Sequence, residues 1–271
     1  MEFIKQLIMS FDGSVDLFGR VDQNFLFAPE YLIFFAFATI LAVAVPLMLK
    51  RTKPTTIKTV MICLWAFALA YDIVRWFFWT MPDVIDGGEF GFGARLPLHT
   101  CSTFWYTAPL ALFLNDGKFK RAFCSYLCTI NLFGGIVGMY LGTAMMYSYS
   151  FFSFWGNEHM VYHAIVIIMP MIMLISGFYK PEGKDYILGF LVFLAIGIPT
   201  FIFNTIFRTD YMYTYDGSTL EPFKWLAEMM PHRLLWTLVA VIGYFLLAVI
   251  FHYAAVGIRK LSEKFKESRK A

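Results

Sequence analysis

Seven stretches of about 20 mainly apolar residues recur along the 271-residue chain, near 29–49, 57–79, 96–114, 120–143, 159–178, 185–207 and 233–257. As α-helix, a stretch of that length rises about 30 Å, the thickness of the hydrocarbon core of a bilayer. The apolar fraction is 59% and charged residues are only 15%, so a water-soluble fold would leave much greasy surface in contact with water. The sequence therefore predicts an all-α membrane protein, a bundle of seven transmembrane helices. Turn-forming groups separate the stretches: Thr52-Lys53-Pro54, Asn115-Asp116-Gly117 and Lys180-Pro181-Glu182-Gly183.

Charge placement sets the expected orientation. Fifteen of the 22 Lys and Arg fall on one side: Lys50 to Lys58, Lys118 to Arg121, Lys180 with Lys184, and the tail from Arg259. By the positive-inside rule that side faces the cytoplasm. The N-terminus is then outside and the C-terminus cytoplasmic, in a multi-pass protein of the cell membrane. Residues 1–28 form an outer interfacial segment, 29–257 the transmembrane domain, and 258–271 a basic tail near anionic lipid. The first 27 residues carry too many charges to read as a cleaved signal peptide. The four cysteines lie in apolar stretches, which argues against a disulfide framework.

Polar groups in hydrocarbon are costly, so their positions matter. Asp72 and Arg75 close the second stretch at i, i+3 spacing, on one helix face. His99 and Cys101 open the third, Asn131 sits mid-way in the fourth, and His159 and His163 open the fifth one turn apart. Asn204 and Arg208 end the sixth, and His232 precedes the seventh. With alternating chain direction Asp72, Arg75, His99, Cys101, His159, His163, Asn204 and His232 fall in the outer half of the membrane or at its rim, which predicts a polar pocket opening outward or into the outer leaflet. Trp76, Trp79, Trp105 and Trp155 suit an outer aromatic belt. Cys124, Cys128 and His252 read as structural.

Three readings of the pocket follow from the residues alone. Cys101 paired with His163 would make a thiolate nucleophile and its base. His99, His159 and His163 with Cys101 or Asp72 would suit a metal ion, in a binding protein or transporter. The same groups would also serve as interhelical hydrogen bonds in a non-catalytic, lipid-binding protein. Retinal chemistry is excluded, since the seventh stretch has no lysine for a Schiff base.

The run Leu96-Pro97-Leu98-His99-Thr100-Cys101 resembles the signature of bacterial YwaF-like integral membrane proteins, seven-span proteins grouped with eukaryotic transmembrane protein 164. His163 followed by Pro170, and Asn204 followed by Asp210-Tyr211-Met212-Tyr213, are similar to further segments of that family; Asp210 stands where the family has asparagine. The resemblance implies a phospholipid acyltransferase, or a lipid ester hydrolase, working through an acyl-thioester. Carried over by position, the nucleophile is Cys101 and the base His163, with His99, Ser102 or Asn204 donating to the oxyanion. Arg75, Asn131, Asn204, Arg208 and His159 become candidate substrate-binding residues, with Arg95 a further candidate for a lipid phosphate. The implied partners are membrane lipids; neither a cofactor nor a nucleic acid is expected.

Overall fold

A computed structural model describes residues 28–85, 96–141, 149–217, 221–230 and 232–267. The described elements are helical: α1 (Pro29–Leu49), α2 (Pro54–Ile85), α3 (Phe104–Phe113), α4 (Lys118–Tyr126), α5 (Leu132–Tyr140), α6 (Phe154–Ser176), α7 (Asp185–Phe207), α8 (Glu221–Glu228) and α9 (Arg233–Glu267). A π-helical turn, Leu127–Asn131, joins α4 to α5, and a 3₁₀ turn, Tyr211–Tyr213, follows α7. No strand occurs among the described residues.

Six helices are long and apolar enough to cross a membrane: Pro29–Leu49, Pro54–Phe77, Lys118–Tyr140, Phe154–Ser176, Asp185–Phe207 and Arg233–Lys260. The predicted third span, 96–114, differs. Only Phe104–Phe113 is helical, about 15 Å of rise, and residues 96–103 run as turns. Pro97, Thr100, Ser102 and Thr103 explain the break, because proline lacks a donor and hydroxyl side chains compete for backbone groups. Burial separates the long helices. Within the most apolar window, 17% of residues are buried in α1 and 17% in α9, against 78% in α6. Ile33, Ile40, Met48, Ile206, Leu234 and Ile250 are all exposed, and only lipid makes such surfaces tolerable.

The chain divides into two compact units, residues 1–90 with 135–172, and residues 91–134 with 173–271. In the first, Tyr31 is buried, donates to the Tyr149 carbonyl at 2.7 Å and meets Phe151 edge-on. The end of α5 lies close on α6, because a Cβ at Gly135 would meet Val166 at 2.8 Å. In the second, Tyr126, Ile130, Phe193, Met212, Tyr244 and Ala248 form one core cluster. α7 crosses α4 at Gly189, where a Cβ would stand 3.0 Å from the Tyr126 amide. Asp185, in the first turn of α7, takes Arg121 at 2.6 Å, the Tyr179 hydroxyl at 3.0 Å and the Glu182 amide at 2.9 Å.

Candidate functional site

The first unit carries an ionic and imidazole cluster on α2 and α6. Arg75 pairs with Asp72 at 2.6 Å, as their spacing predicted, and with Glu158 at 3.0 Å. Both carboxylates are almost fully buried, at 3% and 2% exposure. The Arg75 guanidinium also lies 5.6 Å from the ring centre of Trp155. Trp155 is buried and covers this cation, so it does not join a lipid-facing belt. Tyr71 reaches Asn157 at 2.7 Å on the same pair of helices.

One turn further along α6, both histidines are held by backbone carbonyls. His159 Nε2 donates to the Gly138 carbonyl at 2.9 Å, and His163 Nδ1 donates to the His159 carbonyl at 2.6 Å. A carbonyl only accepts, so the neutral His163 ring carries its proton on Nδ1 and a lone pair on Nε2. That is the tautomer of a general base. Gly138 makes room for it, since a Cβ there would overlap the His163 ring.

Gly138→Ala is therefore expected to dislodge the imidazole and lower stability by about 1–3 kcal/mol, the usual cost of overpacking. Gly257→Ala, whose Cβ meets nothing within 4 Å, is the control. Thermal unfolding of the detergent-solubilised protein reads the difference, and equal midpoints for the two variants would show the ring is not pinned.

The second unit carries the cysteine. Cys101 is half-buried in the turn segment ahead of α3. Non-helical backbone inside a membrane protein needs partners, and neighbouring side chains supply them. Asn131, last residue of the π-helical turn, donates to the Thr100 carbonyl at 2.7 Å and the Cys101 carbonyl at 3.3 Å. Thr103 Oγ1 lies 2.8 Å from the Tyr126 hydroxyl, and the Leu96 amide donates to the Tyr211 hydroxyl at 2.9 Å. Gly134 allows the close approach: a Cβ there would meet the Cys101 amide nitrogen at 2.9 Å.

Asn204 builds the other wall. It donates to the Tyr211 carbonyl at 2.9 Å and accepts from the Tyr211 amide at 3.0 Å and the Thr209 hydroxyl at 2.7 Å. Those bonds hold a loop with three non-glycine residues at positive φ, Arg208, Met212 and Tyr213. Such conformations cost energy and persist where surroundings over-determine them. The loop places the Met212 amide 3.4 Å from His99 Nδ1, as donor, with Tyr211 and Tyr213 against the ring. The neutral His99 then carries its proton on Nε2, a donor. Asp210 accepts the amides of Tyr215 at 3.0 Å and Asp216 at 3.2 Å. Burial pushes its carboxyl up from the ordinary value, against the pull of these amides. Burial likewise raises the Tyr213 phenol, with Cys101 and Asp210 adding to the effect.

An apolar crevice of about 170 Å³ opens beside this loop, lined by Phe133, Met212, Tyr213, Trp236, Gly243 and Tyr244 among others. Trp236 Nε1 donates to the Tyr213 carbonyl at 3.0 Å and the Tyr244 hydroxyl to the Met212 carbonyl at 3.0 Å. The model of the TMEM164 family matches residues 26–253. The chain belongs to the TMEM164 family. No curated protein and no solved structure matches it.

In this TMEM164-family protein the predicted residues fall into two groups. Arg75, His159 and His163 belong to the first unit, and His99, Cys101, Asn131 and Asn204 to the second. Arg208 is exposed at the C-terminus of α7. Arg95 and Trp79 lie outside the residues whose side chains are described. Among the described residues, no three His, Cys, Asp or Glu side chains converge as a metal-holding group. Sequence reasoning missed Glu158: beginning the fifth span at 159 left this carboxylate in a loop, whereas α6 begins at Phe154. Its spacing from Trp155 and Tyr162 on one helical face was the available signal. It also missed Trp236 and Tyr244 as walls of a cavity.

Proposed function

We propose that this TMEM164-family protein is a multi-pass cell-membrane acyltransferase, or lipid ester hydrolase, that works through an acyl-thioester on Cys101. One observation carries the reading: Tyr213, whose ring centre lies 5.3 Å from that of His99, two residues before the half-buried Cys101, also lines an apolar crevice with room for part of an acyl chain. In the proposed reaction His163 Nε2 takes the thiol proton, and the Cys101 sulfur attacks the ester carbonyl carbon of a phospholipid. His99 Nε2–H donates to the resulting oxyanion. Collapse breaks the carbon–oxygen bond, and the leaving lysolipid oxygen takes the proton from His163. A second lysolipid hydroxyl, or water, then attacks the thioester, His163 removes its proton, and the thiol is restored with that proton.

In this reading the chain has seven spans. The third is discontinuous, the turn segment 96–103 followed by α3, and its exposed backbone groups are met by Asn131 and Tyr211. The basic loops and tail face the cytoplasm, with the N-terminus outside.

Mass spectrometry of the purified protein supplies the test. An acyl mass on the peptide bearing Cys101, labile to neutral hydroxylamine and absent from Cys101→Ala, is expected. A protein that carries co-purified lipid but never an adduct is a lipid-binding protein and not an enzyme.

A further inference from the structure

Two carboxyls from different helices meet in the first unit. Asp72 of α2 and Glu158 of α6 are both almost fully buried. Each reaches the same guanidinium nitrogen: Arg75 Nε lies 2.7 Å from Asp72 Oδ1 and 3.0 Å from Glu158 Oε2. That nitrogen carries one hydrogen, which cannot point well at two oxygens. Arg75 Nη2 also goes to Asp72 Oδ1, at 2.6 Å, so the guanidinium favours Asp72. Glu158 makes a further bond, carboxyl to carboxyl, with Asp72 itself. An ionised carboxylate only accepts, and two acceptors make no bond, so one member of the pair must carry a hydrogen. Two ionised carboxyls at this separation would instead repel each other in a site that holds almost no water.

We propose that Asp72 and Glu158 form a proton-binding site, an acid pair that shares one hydrogen at neutral pH and thereby fastens α2 to α6. The donor is the O–H of one carboxyl, the acceptor is the other carboxylate, and the remaining negative charge faces Arg75. The hydrogen belongs to the pair and not to either residue. The other titratable groups that face this cluster, among the described residues, are Tyr71 on α2 and Tyr162, His159 and His163 on α6. Phenols are un-ionised near neutral pH, and both imidazoles are neutral rings bonded to backbone carbonyls, so these groups bring no charge to it. When base removes the shared hydrogen, two anions crowd one edge of Arg75 and the O–H···O bond between the helices is lost. Stability is therefore present while the hydrogen is held and is lost as pH rises. An ordinary buried salt bridge does the opposite, weakening as pH falls. The inference stands apart from the reading of Cys101.

Infrared spectroscopy of the full chain in lipid nanodiscs reads the hydrogen directly, because a protonated carboxyl has a carbonyl stretch separate from the carboxylate bands and shifted by deuterium. The spectrum of the wild type at neutral pH minus that of Glu158→Gln should show one such band, moved to lower frequency in heavy water. Subtracting Asp72→Asn should show the same band, since the carboxyl left behind is ionised beside Arg75 and an amide N–H replaces the shared O–H. Cys101→Ala should keep the band. A band missing from both differences overturns the site. The fastening is read from unfolding midpoints. The wild-type midpoint should fall as pH is raised above neutral, whereas Glu158→Gln, whose amide keeps its hydrogen at every pH, should start near the wild-type value and fall less. Equal alkaline shifts in the two proteins overturn the fastening. If Glu158→Gln does not fold, Asp72→Asn carries both measurements with the same expected outcomes.

Discussion

Arg75→Met is expected to destabilise the protein by about 3–5 kcal/mol, the cost of stranding buried charge. Asp72 and Glu158 are both buried, and Arg75 bridges them from 2.6 and 3.0 Å. Methionine keeps much of the volume and the contact with Trp155 but removes the cation that pairs with both carboxylates. They must then take up protons or admit water, and either response loosens α2 from α6. Adding Asp72→Asn and Glu158→Gln to the variant should recover most of the loss, because neutral amides in place of the triad leave no uncompensated charge. Chemical unfolding of the solubilised protein measures both steps. A single variant within 1 kcal/mol of wild type, or a triple variant no better than the single one, would show that the cluster is not an ion triad in the folded protein.

On the proposed reaction, His163→Gln is expected to slow acyl transfer by about 10²–10⁴-fold, the usual contribution of a positioned base. The Nδ1–H bond to the His159 carbonyl at 2.6 Å fixes the ring and leaves Nε2 as the acceptor. Glutamine can still donate to that carbonyl from a similar volume, yet it has no atom that takes up a proton near neutral pH. A structural histidine would tolerate the exchange. Thioester formation on Cys101, followed by hydroxylamine-sensitive mass over time, is the direct readout, and unfolding midpoints separate folding from chemistry. His99→Gln should cost less, about 10²–10³-fold, as a lost oxyanion donor does. A His163→Gln rate within a few-fold of wild type would remove His163 from the reaction and leave Cys101 in need of another base.

Much of the fold could be read from the chain because its signals are local. The sixth predicted span, 185–207, coincides with α7, and the seventh begins where α9 begins, at Arg233. Hydrophobic length is a property of contiguous residues, so no tertiary knowledge is needed. The third stretch is less regular than its apolar length suggests. Its apolar content suffices for a span, but Pro97 and the threonines break the helix, and bonds within the turn together with contacts from Asn131 and Tyr211 satisfy the broken backbone. The Asp72–Arg75 pair was legible from i, i+3 spacing, whereas Glu158, 83 residues beyond Arg75 in the chain, was not.

By itself, then, the sequence determined that the chain is a helical membrane protein, where most helices lie, and which polar residues are too costly to be incidental. Tertiary structure alone decided which side chains those residues meet: Glu158 for Arg75, the Gly138 carbonyl for His159, the Met212 amide for His99, and a crevice bounded by Trp236 and Tyr244. Burial of apolar length is additive along the chain and shows in composition. Hydrogen-bond partners and cavities depend on residues brought together from distant segments, and no local pattern encodes them.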